Sequence, residues 1–203
     1  MIKLYYSPGA CSLSPHIALC ESGLAFEIEK VDTKSKKTAS GGDFLAISPN
    51  GYVPALKIAD GKFITEGPAI VQWIADQAPQ SHLAPANGTW ERTQLQQWLN
   101  FISTEIHKSY SPLFSPDVPD AYKAMTKDKL FKRYAFVNDY LKGKQFLVGN
   151  NFTVADGYLF TVTNWANFLK LDLSEYKEVR AFSDRVNSRP KVLQALKAEG
   201  LVK

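Results

Sequence analysis

The sequence predicts a small α/β domain followed by an all-helical one. Three observations carry that prediction. Period-two runs of strand formers are confined to residues 1–66. The segment PQSHLAPANGT (79–89) is rich in proline and glycine and carries little periodic apolarity, as a linker does. Beyond it, only helical periodicity continues.

IKLYY (2–6) is a run of strand formers, and SPGACS (7–12) joins turn residues to a helix start. Leu13, Ile17, Cys20 and Leu24 then recur at four, three and four residues, which is one face of a helix ending near Gly23. FEIEKV (26–31) alternates as a second strand, and strand, helix, strand in this order implies parallel pairing. After the polar stretch 33–44, VPALKI (53–58) and KFITE (62–66) flank Asp60-Gly61 and read as a hairpin with a tight turn. Pro54 has no N–H for a sheet ladder, so it belongs at a strand start or edge, and Val53-Pro54 is a candidate cis bond. Pro68 suits the first turn of a helix carrying Ile70, Trp73, Ile74 and Ala78. The expected order is βαβ-α-ββα, the middle element being a helix or a loop. The domain spans 1–80, the linker 81–89 and the all-helical domain 90–203. Helices are expected near 90–110, 121–142, 154–169, 175–188 and 191–199, with the three prolines of SPLFSPDVPD (111–120) separating the first two.

A chain of 203 residues, 45% hydrophobic and 22% charged, can bury one large core or two small ones. The net charge is +4, but the excess lies beyond residue 80, in stretches such as KAMTKDKLFKR (123–133). There bases mix with acids and lack interleaved aromatics, which describes a solvated helix face and argues against a nucleic-acid partner. Pro8 and Gly9 interrupt the apolar start before a secretory signal forms, and no run reaches the roughly 18 apolar residues of a membrane span. A cytoplasmic protein is expected, with no membrane partner and with its two cysteines kept as thiols.

Cys20 lies in the apolar stripe and reads as a small buried hydrophobe. Cys11 lies outside it, where free N–H groups and the dipole of a starting helix favour a thiolate. Spacing alone leaves catalysis and packing both open for Cys11. Position 14 is Ser, so the partner of a CxxC dithiol is missing. In the helix containing LNFISTEIHKS (99–109), Leu95, Leu99, Ile102 and Ile106 form an apolar face, and Asn100, Thr104, His107 and Ser111 a polar one. The polar face is either solvated or the lining of a cleft between domains. FTVADGYLF (152–160) sets Asp156 three residues after Thr153, a capping box with Asp in place of Glu. KVDTKSKK (30–37) reads as a solvated cluster near the thiol, where a lysine could meet an anion. His16 and His82 have no partners at ligand spacing, so no metal is expected.

Five segments, GACSLSPHIAL (9–19), GYVPAL (51–56), TEGPAI (65–70), LNFISTEIHKSYSPLF (99–114) and FTVADGYLF (152–160), resemble in order those of the bacterial beta-class glutathione transferases. The resemblance implies a thioredoxin-like first domain and a dimer. It sets Cys11 beside the sulfur of bound glutathione, with Ser12 and His107 as polar neighbours. Val53, held by a cis Pro54, would pair with the cysteinyl backbone of glutathione. Glu66 and the amide of Gly67 would hold the γ-glutamyl end, without the hydroxyl that most related classes carry at position 67. Lys36 would meet the glycyl carboxylate, and Asn100, Ser103 and Thr104 would approach from the helical domain. The implied activity is transfer of glutathione to small hydrophobic electrophiles, with thiol–disulfide exchange, peroxide reduction and reductive dehalogenation as variants. Its rivals are a disulfide reductase with Cys11 as nucleophile and a non-catalytic binding protein. Tyr6, Tyr110, Phe114 and Trp165 are candidates for an electrophile pocket and equally for the core.

Overall fold

A computed structural model describes residues 1–203. The chain forms two compact units, Met1–Ala84 together with Ser188–Lys203, and Pro85–Asn187.

In the first unit, β1 (Ile2–Tyr6) is the middle of a five-stranded sheet of order β3-β2-β1-β4-β5. Its parallel partner is β2 (Phe26–Asp32), with Leu4 opposite Ile28, and the crossover is helix α1 (Leu13–Ser22). Gly23 stops α1 in the left-handed conformation that closes many helices (φ 72°). On its other side β1 pairs antiparallel with β4 (Ala55–Lys57), and β4 with β5 (Phe63–Thr65). Leu4 and Leu56 face each other across the ladder with no exposed surface. The hairpin loop is longer than the tight Asp-Gly turn expected: Ile58 N–H bonds to Lys62, and Gly61 has φ 87°. Helix α2 (Gly67–Gln77) carries Pro68 in its first turn and buries Ile70 and Ile74.

Between β2 and β4 the structure takes the loop alternative for the middle element, with no α-helix. The chain makes the two-residue strand β3 (Lys37–Thr38) and one 3₁₀ turn, Phe44–Ala46, capped by Asp43. Phe44 alone is buried there, which is too little apolar surface to hold a helix.

Helix α9 (Pro190–Ala198) packs on α1. Arg189 clasps Glu21 through two bonds of 2.6 and 2.9 Å, a forked pairing that fixes geometry as well as charge. The last helix therefore belongs to the first unit, which corrects its assignment to a domain of residues 90–203.

The second unit starts with α3 (Trp90–Phe101), whose Arg92 N–H is capped by the Thr89 hydroxyl at 3.1 Å. A π-helical turn, Ile102–His107, follows, and then α4 (Lys108–Phe114). Pro112 is accommodated inside α4, so the break expected from residue 111 begins at Ser115. The unit continues with α5 (Asp120–Tyr140), α6 (Val154–Thr163), α7 (Trp165–Phe168) and α8 (Lys177–Asn187). Helix α6 is buried at every position and forms the centre of this unit. No helix is long and apolar enough to cross a membrane.

The capping box at the start of α6 is formed. One oxygen of the Asp156 carboxylate accepts from the Thr153 N–H and hydroxyl, both at 2.8 Å, and the other from Leu147 N–H at 2.8 Å. Burial raises this carboxyl to about 6, against the pull of those donors toward the ionised form.

Candidate active site

The strand-to-helix loop of the first unit carries Cys11, a partly exposed thiol in no disulfide. It donates to the Val53 carbonyl at 3.2 Å. The Val53-Pro54 peptide is cis, and Pro54 neighbours Gly67, whose Cβ, if it had one, would stand 4.0 Å from Pro54 Cγ. Lys36, at a left-handed φ of 58°, lays its stem against Gly51 and donates to the Gly51 carbonyl at 2.9 Å. Cys11, Val53, Pro54 and Gly67 thus adjoin one another in sequence or space, and Lys36 holds the loop that leads into them. Glu66 is exposed at φ 65°, ψ 110°, a conformation that costs a non-glycine residue on the order of 1–3 kcal/mol. It precedes α2 without capping it, which leaves the Gly67 N–H at a helix N-terminus suited to an anion.

Ser12 is the residue expected beside the sulfur of glutathione. Its hydroxyl is completely buried, donating to the Ser7 carbonyl at 3.2 Å and accepting from the Ser7 N–H at 3.1 Å. Both functions are thus spent on closing the loop around Cys11. The same loop is fastened from the far end of the sequence. Glu199 accepts from Gly9 N–H at 2.9 Å, and its other oxygen accepts from His16 Nδ1 at 2.9 Å. Cys20 is 3% exposed, and burial pushes its thiol up to about 11, as suits a core residue.

In the second unit Asn100 and Thr104 are exposed, Ser103 is half-buried, and the Thr104 hydroxyl bonds back to the Asn100 carbonyl at 3.1 Å. His107 parts from them. The wider π turn shifts the helical repeat by about one residue, or roughly 100° of rotation, so His107 leaves the stripe that α-helical spacing predicts. It lies edge-on to Trp165 at 4.8 Å between ring centres, and its Nδ1 is 2.6 Å from the Tyr158 hydroxyl. Burial, and after it the charge of Lys108, lowers His107 to about 4, so its ring is neutral at neutral pH.

Trp165 also meets Tyr110 and Phe114 edge-on, at 5.5 and 5.8 Å. Phe114 is 49% exposed, whereas Tyr110 is wholly buried with its hydroxyl 2.8 Å from that of Tyr134. Tyr6 is buried against His16 in the first unit. Tyr6, Tyr110 and Trp165 are therefore core residues, and Phe114, packed edge-on against Trp165, remains the candidate for an apolar surface.

Residues 9–77 match the family model for the glutathione S-transferase N-terminal domain, and residues 101–190 that for the C-terminal domain. The chain is 46% identical to glutathione S-transferase GstA of Escherichia coli O157:H7, over 98% of this chain and all of that one. The chain belongs to the glutathione S-transferase family. Among solved structures, this transferase resembles the ternary complex of BphK, a bacterial transferase, at 55% identity and TM-score 0.96, over 98% of this chain and 99% of that one. A sphingomonad transferase in complex with glutathione and the beta-class enzyme of Sphingomonas chungbukensis are each 44% identical, with TM-scores of 0.95 and 0.96, over 98% of this chain and 100% of theirs. The thioredoxin-like first domain implied by the resemblance is the fold observed.

Three parts of this transferase's two units were not foreseen as site elements: His16, Glu199 and Tyr158. His16 and Glu199 meet across 183 residues of chain, a separation at which no local pattern signals a pair. Tyr158 lies in a helix buried all round, where every position reads as core.

Proposed function

We propose that the first unit holds glutathione with its sulfur beside Cys11 and transfers that sulfur to small hydrophobic electrophiles. The observation that carries this reading is the bond from Cys11 Sγ to the Val53 carbonyl beside cis Pro54. It brings the residue assigned to the sulfur against the residue assigned to the cysteinyl backbone. Glutathione would lose its thiol proton to solvent, and the thiolate would form a carbon–sulfur bond while the leaving group departs with its electron pair. The Gly67 N–H and Glu66 would receive the γ-glutamyl end, and Lys36 the glycyl carboxylate. His107 is assigned to the sulfur by family resemblance.

A second reading rests on the partial exposure of Cys11, a thiol in no disulfide. Its thiolate would attack oxidised glutathione, form a mixed disulfide and release one glutathione thiolate. Assembly as a homodimer in the cytoplasm belongs to the same proposal, the dimer resting on the family resemblance.

The test is intact-mass measurement of the wild type and Cys11→Ala after incubation with oxidised glutathione, beside a conjugation assay with a panel of electrophiles. Conjugation by both proteins, with an adduct on the wild type alone, is expected. Failure of the wild type to bind glutathione overturns the reading, and an adduct on both proteins overturns the role of Cys11 as acceptor.

A further inference from the structure

His107 has two ring nitrogens and is neutral, so one of them carries a proton and the other does not. Which one decides what the ring does. An imidazole with its free nitrogen outward is a base, and one with its N–H outward is a donor that stabilises an anion. Nδ1 is engaged by Tyr158 at 2.6 Å. That separation suits a phenol O–H donating to nitrogen, being well short of the usual 2.9–3.0 Å of an N–H donating to oxygen. Acidity points the same way, since a phenol is a stronger acid than a neutral imidazole N–H, and an imine nitrogen accepts better than a phenol oxygen.

We infer that Tyr158 is a positioning residue whose hydroxyl donates to His107 Nδ1 and fixes the ring as the Nε2–H tautomer. Tyr158 is itself held firmly. It is 2% exposed and lies two residues beyond Asp156, whose carboxylate anchors the start of α6 through three donors. Trp165 packs edge-on against the imidazole and resists its rotation. The π turn is what brings His107 to this partner, because an uninterrupted α-helix would have kept it in line with exposed Asn100 and Thr104. The tautomer rests on this geometry alone. Its consequence for catalysis rests on the proposed function: His107 then serves the sulfur as a fixed, neutral hydrogen-bond donor and does not remove its proton.

The test is the ¹⁵N spectrum of histidine-labelled protein near pH 7, with the signal of His107 assigned through His107→Gln among the three histidines. In the wild type, Nδ1 is expected at an imine position and Nε2 at a protonated one. In Tyr158→Phe the two shifts should move toward each other as the tautomers mix. The same variant should lose roughly tenfold in kcat, the equivalent of one hydrogen bond, with KM for glutathione nearly unchanged. A protonated Nδ1 in the wild type, or unmoved shifts in Tyr158→Phe, overturns the tautomer. Mixed tautomers with unchanged kcat overturn the positioning role. The spectra need no glutathione, so failure of the glutathione reading is seen separately in the adduct and conjugation assays.

Discussion

Glu199 and His16 meet at 2.9 Å with side chains 0% and 1% exposed, and the second carboxylate oxygen of Glu199 holds the Gly9 amide. Glu199→Ala takes this acceptor from the buried His16 ring and from the part-buried Gly9 amide, and a loss of about 1–3 kcal/mol in unfolding free energy is expected. Glu199→Gln keeps an acceptor and should lose less. Urea unfolding measures both, with amide exchange at Gly9 reporting on the loop. A loss below about 1 kcal/mol for the alanine variant would contradict this.

Ser12→Ala should loosen the same loop from inside. It strips the Ser7 N–H of its partner, a cost of about 1–3 kcal/mol. The Ser7 amide should exchange faster with solvent in the variant. Unaltered protection there would return Ser12 to the role expected beside the sulfur.

Asp156→Ala removes an acceptor shared by three donors and should destabilise by at least about 3 kcal/mol. Thr153→Ala loses only part of the cap and should cost about 1 kcal/mol. Denaturant titration ranks the two, and equal losses would refute the central place given to the carboxylate.

Two buried groups oppose each other as the pH falls. His107 titrates near 4 in the folded chain, below its ordinary 6.5. Between those values the unfolded chain takes a proton that the folded chain refuses, so this contribution to stability falls as pH drops through the window. Asp156 titrates near 6, above its ordinary 3.8. Its contribution is fully present below 3.8 and is lost as pH rises through about 6. His107→Gln should therefore weaken the acid-side loss of stability, and a pH profile identical to the wild type's would exclude His107 as a source.

Gly67→Ser should be tolerated. A Cβ at that position meets Pro54 at an ordinary 4.0 Å, so stability should change by no more than about 0.5 kcal/mol. If glutathione binds at the N-terminus of α2, the added hydroxyl should lower its KM. Thermal melts and a glutathione titration separate the two effects.

Much of the first unit was legible because its two periods alternate within short spans. Leu13, Ile17 and Cys20 at helical spacing follow a strand-forming IKLYY, and all three are buried in α1. The Thr153–Asp156 cap was legible for a similar reason, since its partners are three residues apart. Cys11 stood out because turn residues precede it and a helix follows. The π turn left no trace, since Ile102 and Ile106 are spaced as on any α-helix. The place of α9 was hidden too, because the partners of Glu199 and Arg189 lie near the other end of the sequence. The bonds of Ser12 to Ser7 were not legible either, because a serine beside a thiol looks the same whether its hydroxyl faces the sulfur or the chain behind it.

The first unit is written in two pieces with the second unit between them. On the ribosome all of residues 85–187 are made while the thiol loop still lacks Glu199. The helical insert has its whole sequence available for folding before the α/β unit can close. The setting of Cys11 is therefore finished late in synthesis, and a nascent chain stalled before residue 199 carries that sulfur on an unfastened loop.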